Sequence, residues 1–127
     1  MPLAQACGQL GLDFCAYEFW QDAEPLIRES MRMQNKLQPY HWTTFNIQAV
    51  LGWVLLSQKR YDEAEPLLLQ GYEGMKQRDA SIPPRGKIRL SEALQWLVQL
   101  YEATGKKDEA AKWRKELEAL KAKSPSN

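Results

Sequence analysis

One nine-residue phrase constrains the fold more than any other feature of this chain: Arg60-Tyr61-Asp62-Glu63-Ala64-Glu65-Pro66-Leu67-Leu68. It has an echo upstream in Phe19-Trp20-Gln21-Asp22-Ala23-Glu24-Pro25-Leu26-Ile27, and a fainter one downstream in Lys107-Asp108-Glu109-Ala110-Ala111-Lys112-Trp113. In each copy an aromatic or long side chain stands three residues before a small alanine, and a bulky apolar residue stands three after it. Self-similarity of this kind marks a stacked repeat array. Setting Ala23, Ala64 and Ala110 in one column gives spacings of 41 and 46 residues, and other columns then agree without adjustment. Leu10, Leu51 and Leu97 fall together, as do Gly11, Gly52 and Val98, and Phe14, Leu55 and Tyr101.

Apolar residues within these blocks recur at helical spacing, as with Cys7, Leu10, Gly11 and Phe14, or Leu94, Leu97, Val98 and Tyr101. The pattern predicts helices over about 1–17, 21–36, 41–58, 61–78, 87–104 and 106–121. Carboxylates follow the corners (Asp22, Asp62, Asp108), where the helix dipole favours them. Pro25 and Pro66 place the helix starts only a few residues upstream, because proline is tolerated in a first turn and not deep in a helix. Pro83-Pro84 and Gly86 make 79–86 the strongest break, and Gly105 ends the fifth helix. The third helix, apolar on nearly every side from Ala49 to Leu56, belongs at the centre. Gly71 implies close helix approach, and Gly74 either that or a frayed end.

The expected architecture is all-α: three antiparallel helical hairpins (about 2–36, 41–78 and 87–121) stacked in a single domain, 1–123, before a disordered tail, 124–127. No hairpin of this size buries its apolar face alone, so stacking supplies the core. The first helix begins with no polar capping helix before it. This suggests an array that continues upstream or an edge that something else covers, a second copy of the chain included.

These columns resemble the tetratricopeptide repeat, through the Leu-Gly pair, the aromatic at the corner and the alanine of the second helix. The long period and the Ala-Glu-Pro-Leu phrase are similar to the kinesin-light-chain type. Leu51-Gly52-Trp53-Val54-Leu55, Arg60 to Leu68, Gly71-Tyr72-Glu73-Gly74 and Leu100-Tyr101-Glu102-Ala103-Thr104-Gly105-Lys106 resemble the C-terminal repeats of certain bacterial serine/threonine protein kinases. The resemblance covers about residues 5–120, with Lys107 standing where the pattern expects an aromatic. It implies a right-handed superhelix that scaffolds protein–protein contacts. Kinase chemistry is not encoded in this stretch, which has no Gly-rich loop, no His-Arg-Asp and no Asp-Phe-Gly.

In such a fold the first helix of each hairpin lines a concave groove. The groove candidates are Gln5, Gln9, Leu12 and Ala16 in the first hairpin, and Asn46, Ala49, Val50, Trp53 and Ser57 in the second. In the third they are Glu92, Gln95, Trp96, Gln99 and Glu102. Trp53 and Trp96 are the expected anchors, because an exposed tryptophan offers large contact area with an N–H handle. The competing reading packs both rings against neighbouring helices. Members of this class that grip a peptide C-terminus do so with a Lys/Asn/Arg clamp. Gly8, Leu12, Val50, Glu92 and Trp96 occupy the matching positions here, so a mixed polar and aromatic peptide is the expected ligand.

Other chemistries find little support. Lys plus Arg (17) balance Asp plus Glu (16), which leaves no electrostatic footprint for nucleic acid or anionic lipid. The longest apolar run, Ala49 to Leu56, is far short of the ~20 residues that span a bilayer. His41, the one histidine, has no Cys, His or carboxylate cluster at ligand spacing and reads as a helix-start residue. Cys7 and Cys15 on one helix lie about 12 Å apart, too far for a disulfide. With no recognisable signal peptide, the expectation is a cytoplasmic, non-catalytic module without metal or cofactor, whose partner is a protein or peptide. The rival readings are a structural spacer and a homodimerisation element acting through the N-terminal hairpin.

Overall fold

A computed structural model describes the backbone of residues 3–123, with side chains from residue 5 onward. The expected beginnings at Met1 and Pro2 and the expected tail 124–127 lie outside the described residues. Within them the chain is all-helical: α1 (Leu3–Ala16), α2 (Trp20–Leu37), α3 (Trp42–Ser57), α4 (Tyr61–Gln77), α5 (Ile88–Ala103) and α6 (Lys107–Lys123). The segment before α5 carries two short 3₁₀ turns, Asp79–Ser81 and Pro84–Gly86.

The helices pack in consecutive pairs, α1 on α2, α3 on α4 and α5 on α6, and the pairs join through α2 against α3 and α4 against α5. The corners explain the pairing. Glu18 and Lys59, the residues just past α1 and α3 in chain order, take the left-handed conformation (φ 60° and 64°), and Gly105 does so after α5 (φ 76°). At each corner a backbone N–H returns to a carbonyl of the finished helix, as Phe19 does to Phe14 and Arg60 to Leu55. Such αL turns satisfy the orphan carbonyls at a helix end and reverse the chain within three residues. Pro25 and Pro66 lie inside the helices, five residues after each start.

Small residues set the closeness of each pair. A Cβ at Gly52 would fall 2.7 Å from Leu68 Cγ, and one at Gly71 would fall 2.8 Å from both the Cβ and backbone N of Ala49. Gly74 is equally confined, by the Phe45 ring, so the helix does not fray there. Ala23, Ala64 and Ala110, the column that revealed the repeat, are all buried. The middle pair holds most of the core, with Val50, Leu51, Val54 and Leu55 of α3 enclosed between α2, α4 and α5.

Leu10 corrects one expectation. It shares a repeat column with Leu51 and Leu97, both 0% exposed, yet is itself 47% exposed. The later two helices each have a preceding helix packed on them, α2 or α4, and among the described residues nothing occupies that place beside α1.

Candidate functional site

The first helices of the three pairs are α1, α3 and α5. α3 contacts α5 directly. α1 reaches α3 where a Cβ on Gly8 would lie 3.7 Å from Ile47 Cδ1. The face they share carries the residues singled out from the sequence, and their fates differ. Gln9, Gln95 and Gln99 are exposed, and Leu12, Asn46, Trp53 and Glu92 are partly exposed. Ala49 is fully buried and is no groove residue, because it is the surface against which α4 seats Gly71. Trp96 is 8% exposed, which removes it as a free anchor.

The reason for Trp96 burial is a row of indoles across all three pairs. The Trp53 and Trp96 rings stack with centroids 4.8 Å apart and planes 6° from parallel. Trp20 meets Trp53 in an edge-on arrangement, with centroids 5.0 Å apart and planes at 74°. Both geometries suit the quadrupoles of aromatic rings. The candidate site is therefore a single partly exposed indole, Trp53, in contact with two other tryptophans. Trp20 was legible in the sequence only as a corner aromatic. Its contact with Trp53 depends on the offset between α2 and α3, for which no periodicity in the sequence gives a signal.

Polar side chains brace this arrangement. Glu24 of α2 accepts hydrogen bonds from Gln58 Nε2 (3.0 Å), Arg60 (2.8 Å) and Arg28 (2.9 Å), tying the first pair to the corner of the second. Partial burial works against its ionisation, but the Gln58 and Arg28 hydrogen bonds and the Arg60 charge outweigh it and hold the carboxyl below the usual glutamate range. Tyr101 donates to Glu65 across α5 and α4 (2.7 Å), and Tyr72 donates to Glu116 across α4 and α6 (2.7 Å). Burial first, and then these carboxylate acceptors, push both phenols well above their ordinary range. Glu24 and Glu65, at one repeat position, thus both act as inter-pair acceptors.

His41 is the N-cap of α3: its ring nitrogen accepts from Thr43 N (3.2 Å) and lies 2.8 Å from Thr43 Oγ1. Burial pushes the Cys15 thiol up to about 11, which leaves it an unreactive packed group. Among the described residues no three His, Cys, Asp or Glu side chains gather as metal ligands would, and no helix is long and apolar enough to cross a membrane. No protein-family model matches the chain, and no curated protein matches it.

Proposed function

We propose that this chain is a helical-repeat interaction module of the tetratricopeptide type, its three hairpins forming a short right-handed superhelix that holds a protein or peptide along the α1–α3–α5 face. The observation that carries this reading is the face itself. One supported indole, Trp53, stays partly exposed on α3, and Gln9 of α1 and Gln95 and Gln99 of α5 are exposed. Carboxamides both donate and accept, so they suit the backbone of an extended segment, while a rigid tryptophan provides the apolar contact. Trp96 contributes as the support that orients Trp53.

The test is affinity capture with the wild-type chain and with a variant carrying Trp53→Ala and Gln99→Arg. The variant should keep its far-UV CD spectrum and lose the proteins that the wild type specifically retains. An unchanged set of retained proteins in a folded variant would overturn the reading. A second reading, a rigid spacer, is favoured by the continuity of the indole row, since rings that bury one another stiffen the stack. In that case the double variant loosens the pairs without changing any binding.

A further inference from the structure

A second surface, independent of the α1–α3–α5 face, lies on the far side of α1. Leu10, Phe14 and Tyr17 follow Cys7 at intervals of three, four and three residues, the spacing of a seam that receives another helix. Leu10 is 47% and Tyr17 72% exposed, while Cys7 and Phe14 are partly covered. Exposed Phe19 extends the strip, its ring centroid 6.1 Å from that of Tyr17 and 6.2 Å from that of Phe14. The repeat register says what this strip is shaped to meet. Its counterparts on α3 and α5 are each packed by a whole helix, α2 or α4.

Charge narrows the occupant further. Residues 1–27 contain Asp13, Glu18, Asp22 and Glu24 and not one Lys or Arg. Asp13 flanks the strip by helical phase, and Glu18 stands at the corner where the strip ends. Glu18 and Asp22 also line, with Phe19 and Trp20, an open cleft of about 360 Å³ at its end. The first cations of the chain are already committed, Arg28 to Glu24 and Arg32 to Glu29. A second copy fits poorly in either arrangement. Pairing α1 with α1 brings two acidic rims together. Stacking α6 on α1 sets exposed Lys115 against the apolar strip. An anionic membrane meets the same acidic rim and is repelled.

We propose that the outer face of α1 docks an amphipathic helix of a partner polypeptide, one with an apolar stripe bordered by Lys and Arg. The stripe would cover Leu10, Phe14 and Tyr17 as α2 and α4 cover their neighbours, and the basic border would meet Asp13, Glu18 and Asp22.

The experiment uses two synthetic helical peptides of about 18 residues, five turns. They share one leucine stripe, bordered by Lys and Arg in one and by Glu in the other, and are titrated against the full chain by fluorescence anisotropy. The expected result is saturable binding of the basic peptide, at least about tenfold tighter than the acidic one and weakened by added salt. Leu10→Ser with Tyr17→Ser, both exposed positions, should cut the affinity about tenfold with unchanged CD and leave proteins retained by the groove face as in the wild type. The two surfaces therefore succeed or fail separately. Equal binding of both peptides, binding of neither, or binding that the double variant leaves intact would overturn the proposal. So would sedimentation showing that the wild type self-associates at micromolar concentration and the double variant does not, which would make a second copy the occupant.

Discussion

The middle pair, α3 and α4, and the outer helix α1 are built on the same columns and live in different surroundings. Leu51 and Leu10 are the same residue at the same repeat position, one enclosed and the other half in solvent. Gly71 and Gly11 both mark close helix approach, but Gly71 faces the backbone of α3 whereas Gly11 faces the side chains of Ile27 and Leu26. A repeat position therefore specifies which way a side chain points. Its energetic weight depends on whether another element arrives to meet it.

The largest test of this contrast is truncation in the leucine column. Leu51→Ala and Leu97→Ala should each cost about 2–5 kcal/mol, because a lost methyl cluster in a closed site leaves a cavity. Leu10→Ala should cost under about 1 kcal/mol, as half of its surface already meets water. Urea unfolding followed by far-UV CD measures all three, and equal losses would mean that α1 is covered in solution.

The glycines sharpen the same contrast. Gly71→Ala would press a methyl onto Ala49 N and Phe45 O, and should destabilise by about 1–3 kcal/mol. At Gly11 the new methyl meets side-chain atoms alone, Ile27 Cδ1 and Cγ1 and, at 3.4 Å, Leu26 Cβ, and alanine is favoured over glycine in a helix by up to about 1 kcal/mol. Gly11→Ala should therefore fall within about 1 kcal/mol of wild type. Melting temperatures of the two variants would separate them.

A smaller effect is expected at the start of the middle pair. His41→Ala removes the acceptor for Thr43 N and should cost about 1 kcal/mol. His41→Asn, which keeps an acceptor, should recover most of it in the same melt. The start of α2 has no such side-chain cap, so the corresponding change there, Phe19→Ala, should cost less through helix capping.

The smallest effect is on the seam between the two regions. Glu24 has its folded-state pKa below the ordinary value of 4.5, so its contribution is present above that pH. It is lost as the solution is acidified through the lower, folded-state value. Glu116, whose burial is outweighed by the Lys76 and Tyr72 hydrogen bonds, follows the same sign between α4 and α6. Chemical denaturation repeated at acidic pH should show stability falling below about pH 4.5 in the wild type. Glu24→Gln should show a shallower fall, and an identical slope would remove Glu24 from the inter-pair links.

The amino-acid sequence by itself determined the six helices and the corners between them. These follow from local rules: helical periodicity, the αL preference at corners and the intolerance of proline. They hold whatever lies beyond the next turn. Only the tertiary structure decided that Leu10 stays half exposed, that Ala49 of α3 packs against Gly71 of α4 and that Trp96 is buried against Trp53. Burial and ring stacking depend on the offset between helices some forty residues apart in the chain. That offset is set by the summed packing of many side chains, and no single stretch of sequence carries it.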